Sequence, residues 1–171
     1  WVPATCAHWS EQELLDRLQP IFADTTKEAI AHHFKFDYKV LAIRGLAFHN
    51  KVFDTMVAHY LIQPETSHKL DRLAETKLGY ATIPITDLIG KAGKAQKSMA
   101  DLPVESITEY ACEDADITFR LRQVFGPRLA EVAADELFQT VEMPLVKILA
   151  DMELEGVRID SDELNRYSQE L

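Results

Sequence analysis

Apolar side chains at helical spacing run through residues 103–125, and this pattern constrains the fold more than any other part of the chain. At about 100° per residue, one face of the predicted helix comprises Ile107, Tyr110, Asp114, Ile117, Leu121 and Val124. Asp114 is the one carboxylate on this face, and Glu113 lies near its edge. A buried carboxylate without a partner is strongly unfavourable. We therefore expect a cation or hydrogen-bond donors to face Asp114, either a metal ion or an ordinary capping or salt-bridge partner.

Composition is that of a globular domain with a core: 171 residues, of which 47% are apolar and 27% charged. No apolar run is long enough to cross a bilayer. Cys6 and Cys112 form no disulfide framework and no metal-binding spacing, and such sparse use of cysteine favours a reducing, cytoplasmic setting. The chain begins with Trp1 and stops within a helical pattern, so we expect it to be a piece of a longer protein.

The net charge of −10 argues against a protein that coats nucleic acid by neutralising its phosphates, because such proteins are usually basic. It is compatible with an enzyme that reaches a phosphate through divalent cations. Carboxylates are the ligands that hold these ions, so an acidic composition suits such a site.

The order of predicted elements is strand, helix, strand and then many helices, which favours a helix-rich α/β domain. Residues 1–7 suit an edge strand, and Ser10 and Glu13 form a capping box that opens a helix. Alternating apolar residues predict a strand over 27–36, with Asp37 at its end.

The second half of the chain is predicted to be helical. The helix that carries Asp114 is expected to end at Gly126–Pro127, because proline disrupts a helix interior. A further helical stretch follows to Glu155, with a bend at Pro144.

Four segments resemble, in the right order, motifs of the DEDD-type 3′–5′ exonucleases. Tyr110-Ala-Cys-Glu-Asp114 resembles their third motif, Tyr-x-x-x-Asp, and His33-Phe-Lys-Phe-Asp37 resembles the second, usually Asn-x-Lys-Tyr/Phe-Asp. Residues 53–61 are similar to the segment after the second motif, and residues 88–98 to the loop before the third.

A fifth segment, Val141–Asp160, resembles the junction that leads into the polymerase portion of bacterial family A DNA polymerases (DNA polymerase I). It narrows the resemblance to their proofreading domain and disfavours an RNA-processing exonuclease. The resemblance divides the chain into an exonuclease domain over 1–140, truncated at its N-terminus, and a helical junction over 141–171.

The resemblance implies a ribonuclease-H-like three-layer fold and hydrolysis of the 3′-terminal phosphodiester of DNA with two Mg²⁺ or Mn²⁺ ions. Asp37 and Asp114 would be metal ligands, and Tyr110 would orient the attacking water. The partners would be a single-stranded 3′ end of DNA and the rest of the polymerase chain. From the residues alone, Asp37 could instead cap the helix that follows it.

One departure from the family bears on activity. The first motif, Asp-x-Glu, is absent upstream of Asp37, and the only such pattern is Asp151-Met-Glu153. We therefore expect the chain to begin after the first two strands and to have weak or no exonuclease activity. We also expect it either to self-associate through the sheet edges left open or to rearrange its first residues to cover them. The alternative function is a non-catalytic scaffold domain beside a polymerase.

Two further features concern DNA. His33 stands where the family usually has Asn, and would position the terminal nucleotide through a different set of donors. Lys91, Lys94 and Lys97 form a small basic cluster that either contacts the DNA backbone or is simply a solvated loop.

His32 and His33 could suggest zinc, but no matching Cys or His set accompanies them in the sequence.

Overall fold

Two short parallel strands lie between two groups of helices in residues 9–170, the part of the chain that this computed structural model describes. The elements in chain order are α1 (Glu11–Ala23), β1 (Glu28–Ala31), α2 (Phe34–Ala42), β2 (Lys51–Asp54), α3 (Thr55–Ile62), α4 (Leu70–Leu73) with a π-helical turn (Ala74–Leu78), α5 (Ile85–Ile89), a 3-10 turn (Met99–Asp101), α6 (Val104–Glu131), α7 (Asp135–Leu137) with a π-helical turn (Phe138–Glu142), α8 (Met143–Glu155) and α9 (Ser161–Glu170). The predicted helix-rich α/β class is confirmed, and the sheet of the described residues has two strands. The edge strand predicted over 1–7 lies outside the described residues.

The two strands are joined by a helical crossover. Strands β1 and β2 pair in parallel, with Glu28 opposite Lys51 and Ala31 opposite Asp54, and α2 connects them. Parallel strands place their carboxyl ends at the same edge of a sheet. Helices α2 and α3 therefore both begin at this edge, which is where the candidate site forms.

The strands bury residues on both faces. Ile30 and Phe53, which are paired, pack into a core cluster with α3 and α6. Ala31 and Val52 pack into a second cluster with α1, α2 and α8. Because successive strand residues face opposite sides, this alternation arranges the described residues as helix, sheet and helix layers.

Helix α6 presents the predicted face to the core. Ile117 and Leu121 are fully buried, while Tyr110 and Asp114 are half-buried near the helix start. The predicted end at Gly126–Pro127 is wrong, since α6 continues to Glu131.

The packing on either side of Pro127 explains why α6 continues. Phe125 and Leu129 are both fully buried in the first core cluster. Their burial outweighs the single main-chain hydrogen bond that a proline removes.

The strand predicted over 27–36 is also shorter than expected. It ends at Ala31, His33 takes a left-handed backbone conformation (φ 68°), and α2 begins at Phe34. The carboxylate of Asp54 accepts hydrogen bonds from the N–H groups of both His33 and Phe34, which starts the helix there. Asp37 therefore lies in the first turn of α2 rather than at the end of a strand.

Helix α8 packs directly on α2. Val146 and Ala150 of α8 are buried in the second cluster, and the Tyr38 hydroxyl donates to Asp151 Oδ1 at 2.8 Å. A π-helical turn immediately precedes α8, at the place where the bend at Pro144 is predicted.

The domain boundary at residue 140 stays a prediction. Among the described residues, no helix combines the length and apolar character that a membrane crossing needs.

Candidate active site

A cavity of about 820 Å³ opens at the carboxyl end of β1. Helix α2 contributes Asp37 to its lining, and α6 contributes Tyr110 and Asp114. The segment 82–86 forms a further wall. The three residues singled out by the sequence motifs are thus brought to one cavity from two helices, while their chemical roles stay predictions.

Asp54 anchors the helix that carries Asp37. Its side chain is 2% exposed and accepts hydrogen bonds from four backbone N–H groups, those of His33 (3.1 Å), Phe34 (2.8 Å), Met56 (2.9 Å) and Val57 (3.4 Å). One carboxylate therefore caps α2 and α3 together, where each helix leaves N–H groups without intrahelical partners. Asp54 is itself the N-cap residue of α3, since its side chain accepts from the N–H groups of Met56 and Val57.

The two cavity carboxylates both favour the protonated form more than an exposed aspartate does. Burial raises the pKa of Asp37, the charge of Asp54 raises it further, and His33 opposes the shift. Burial also raises the pKa of Asp114, while the Tyr110 hydroxyl one helical turn away lowers it in part.

The described residues give neither carboxylate a salt-bridge partner. Within residues 9–170, Asp37 and Asp114 take part in no salt bridge. The salt-bridge alternative for Asp114 therefore finds no partner in the described residues. Two partly buried carboxylates without a counter-charge form an electrostatic environment suited to a bound cation.

Tyr110 presents a neutral phenol to the cavity. Burial raises its pKa, and the negative charge of Asp114 raises it further. The hydroxyl is therefore protonated at neutral pH and can donate one hydrogen bond while accepting another.

Two cavity residues lie outside the motifs that resemble those of the exonucleases. Asp71, in the first turn of α4, is a third acid at the cavity. His32 lies at the end of β1, with its Nδ1 2.9 Å from Thr55 Oγ1, and burial lowers its pKa. No three His, Cys, Asp or Glu side chains in the described part of the chain come together as a set of metal ligands.

His33 lines a different cavity. This smaller space, of about 220 Å³, lies between the turn before α2 and helix α8, and Asp54 and Leu149 also line it. Left-handed backbone is tolerated best, after glycine, by asparagine, aspartate and histidine. The turn thus accounts for a position that holds His here and usually Asn in the family. A contact of His33 with DNA stays a prediction.

Lys91, Lys94 and Lys97 are all exposed in the loop after α5, and none of them lines the cavity of Asp37. The Lys97 N–H donates to the Ile89 carbonyl at 2.9 Å, which closes the loop back onto α5. The described residues offer these lysines no salt-bridge partner. Their role in binding DNA stays a prediction.

Comparison with known proteins finds relatives that cover nearly the whole of this chain. The chain is 39% identical over 158 residues to the DNA polymerase I of Chloroflexus aurantiacus, covering 92% of this chain and 17% of the relative. It is 35% identical to that of Rhizobium leguminosarum (94% of this chain, 16% of the relative) and 34% identical to that of Pseudomonas aeruginosa (100% and 20%). The chain thus spans only 16–20% of the length of these relatives.

A family comparison identifies the same region. The family model described as 3′–5′ exonuclease matches residues 1–130, which include the cavity residues Asp37, Tyr110 and Asp114. The chain therefore belongs to the 3′–5′ exonuclease family that occurs in DNA polymerase I.

Proposed function

We propose that this chain is the 3′–5′ exonuclease part of a DNA polymerase I, which removes nucleotides from the 3′ end of DNA during replication and repair. The observation that carries the proposal is the shared cavity of Asp37, Tyr110 and Asp114. The family match and the relatives support it. A ribonuclease-H-like three-layer fold is part of the proposal, supported by the helix, sheet and helix layers.

Asp37 and Asp114 are the residues that would hold Mg²⁺ or Mn²⁺. Both are partly buried, have a raised pKa and lack a salt-bridge partner within residues 9–170, and hard divalent cations prefer oxygen ligands. Such ions, when bound, offset charge on the phosphate and lower the pKa of a water.

Tyr110 would orient the attacking water. Its protonated phenol lies one helical turn from Asp114, so both side chains reach the same space. The cavity volume of about 820 Å³ is in the range of small-molecule sites and can admit a terminal nucleotide.

Metal binding tests the ligand assignment. Asp37→Asn and Asp114→Asn should each weaken Mn²⁺ binding by at least about tenfold, measured by calorimetry or by the paramagnetic resonance signal of free Mn²⁺. Asp16→Asn, an exposed acid on α1, is the matched control. Unchanged Mn²⁺ affinity in the Asp37→Asn/Asp114→Asn double variant would contradict the assignment.

The chain by itself should digest DNA weakly or not at all. Two carboxylates are too few to neutralise two divalent ions, and in the described residues Asp71, the third acid at the cavity, does not join them in a set of metal ligands. A single-stranded oligonucleotide labelled at its 5′ end, incubated with Mg²⁺ or Mn²⁺, tests this. Robust shortening from the 3′ end would overturn the expectation.

The lysine loop and His33 would contact the DNA. Replacing Lys91, Lys94 and Lys97 together by Gln should weaken oligonucleotide binding and flatten its dependence on salt, because fewer counterions are released. Lys27→Gln, directly before the amino end of β1 and paired with Asp24, is the control. A salt slope equal to that of the unmodified protein would exclude the contact.

The partners proposed are a single-stranded 3′ end and the rest of a polymerase chain. Self-association is a further proposal, since in the described residues the sheet has two strands and each has one free edge. A monodisperse monomer in light scattering would count against it. The cytoplasmic setting stays a prediction from the cysteine content.

A non-catalytic scaffold is the second candidate function, and the ligand count in residues 9–170 is the observation that favours it. The two functions differ in metal binding. A scaffold would bind Mn²⁺ equally with and without Asp37 and Asp114.

A further inference from the structure

One wall of the cavity is a largely exposed segment. Residues 82–86 line the cavity, yet Pro84, Ile85 and Thr86 are exposed and Ile85 has 44% of its surface accessible. The hydrophobic core does not therefore hold this wall in place, and polar contacts must set its position.

Glu113 supplies those contacts. Its Oε2 accepts a hydrogen bond from the Ile83 backbone N–H at 2.8 Å, and its Oε1 accepts one from the Tyr80 hydroxyl at 2.8 Å. Both oxygens of one carboxylate are thus bound to a single segment, and hydrogen bonds to a charged acceptor are the stronger kind.

The other hydrogen bonds that the segment makes within the described chain do not reach α6. The Tyr80 N–H donates to the Ala74 carbonyl and the Asp87 N–H to the Pro84 carbonyl, at 3.1 and 2.9 Å. In residues 9–170, Glu113 is the only side chain of another element that hydrogen-bonds residues 80–86. Arg120 lies over the Tyr80 ring at 5.8 Å, a weaker and more distant contact.

We call the two hydrogen bonds from segment 80–86 to Glu113 the tether. The tether matters because of where Glu113 lies along α6. Glu113 directly precedes Asp114, so the segment is attached to the helix at the residue beside a cavity carboxylate. A change in this attachment alters the distance between the wall and Asp114, and with it the shape of the space available to a ligand.

We infer that Glu113 is a positioning residue that fixes segment 80–86 as the wall of the cavity, and so sets how a 3′-terminal nucleotide is held beside Asp114. The nucleotide part rests on the proposed function; the tether itself does not. An exposed glutamate on a helix would instead be a solvated charge with no effect on a distant loop.

Amide hydrogen exchange tests the tether directly. In Glu113→Ala, exchange at Ile83 and its neighbours should accelerate by at least about tenfold, because the N–H loses its acceptor. Glu113→Gln keeps an oxygen that can accept from Ile83, so it should restore most of the protection. Glu109→Gln, an exposed position one turn earlier on α6, is the matched control.

Oligonucleotide binding measures the effect on the cavity. With a short 3′-ended oligonucleotide and Mn²⁺, fluorescence anisotropy should give a Kd several-fold higher for Glu113→Ala than for Glu113→Gln, at equal melting temperature of the two variants. Tyr80→Phe removes one of the two hydrogen bonds and should give an intermediate Kd.

The possible results distinguish the tether from its effect on nucleotide binding. Unchanged exchange at Ile83 in Glu113→Ala would overturn the tether. Faster exchange with unchanged Kd would overturn the positioning role while leaving the proposed function intact. If the unmodified protein binds no oligonucleotide, the proposed function and the nucleotide part of the inference both fail, and the exchange result still decides the tether.

Discussion

At the scale of single residues, Asp54 does more to shape the site than either cavity carboxylate. It is almost fully buried and is bound by four backbone N–H groups from the starts of two helices. The left-handed turn at His33 and the first turn of α2, which contains Asp37, both depend on it.

Replacing Asp54 by Ala should lower the free energy of unfolding by about 2–4 kcal/mol, because two helix caps are lost and buried N–H groups are left without acceptors. Asn, which keeps one acceptor oxygen, should cost less. Chemical denaturation measures both variants, with the exposed Asp16→Asn as control. A loss below about 0.5 kcal/mol in Asp54→Ala, the range of ordinary surface substitutions, would contradict the double-cap role.

His59 makes stability depend on pH. It is 1% exposed, and its Nδ1 lies 2.7 Å from Nδ1 of His68. Burial lowers its pKa to about 4, with the charges of His68 and Lys77 adding to the shift. The unfolded chain therefore binds a proton more readily than the folded chain between the ordinary pKa of about 6.5 and about 4.

The contribution of His59 to stability is therefore full above pH 6.5 and is lost as the pH falls toward 4, by about 2–3 kcal/mol. Denaturation curves at several pH values should show this loss in addition to that from carboxylates. In His59→Gln the additional loss should disappear. An identical pH slope in the variant would mean that His59 is not responsible.

At the scale of elements, α6 shows how packing overrides local preference. Gly126 and Pro127 predict a helix end, yet the buried side chains on both sides keep the helix continuous. Gly126 has a separate role: a methyl group there would lie 2.1 Å from Arg122 Nη1. This space lets Arg122 pair with Glu28 of β1 at 2.8 Å and lie over the Phe53 ring at 4.2 Å.

A double-mutant cycle tests the coupling between Gly126 and Arg122. Alanine is favoured over glycine in a helix by about 1 kcal/mol, so Gly126→Ala should stabilise the protein by about that amount once Arg122 is replaced by Ala. With Arg122 present, displacement of its side chain should cancel most of the gain. Equal effects in the two backgrounds, measured by denaturation, would show that the two positions do not interact.

At the scale of the whole molecule, α8 packs onto the rest of the described chain. Val146 and Ala150 fill the second core cluster with Phe34, Tyr38 and Phe48. Lys35 and Lys39 also pair with Glu153, and these bonds lower the pKa of that carboxyl to about 2. The described α9, by contrast, has no buried residue.

A chain ending at Thr140 should therefore lose cooperative thermal unfolding, because removal of α8 exposes the aromatic side of the second cluster. A chain ending at Asp160, which lacks α9 only, should keep its melting temperature within a few degrees. Circular dichroism on both chains makes the comparison. Cooperative unfolding of the shorter chain at the original temperature would support the boundary predicted at residue 140.

The sequence by itself determined two features that depend on near neighbours: the buried face of α6 and the capping box at Ser10. The motif resemblance also led to the family. These features rest on spacing within a few residues, where helix geometry sets the outcome.

Only the tertiary structure decided where β1 ends, where α6 ends and which side chains surround the cavity. The strand ends at Ala31 because Asp54, distant in the chain, binds the N–H groups that follow it. The wall of the cavity is held by Glu113 for the same kind of reason. Hydrogen bonds and burial between distant segments outweigh local preferences, and a single sequence does not reveal which segments will meet.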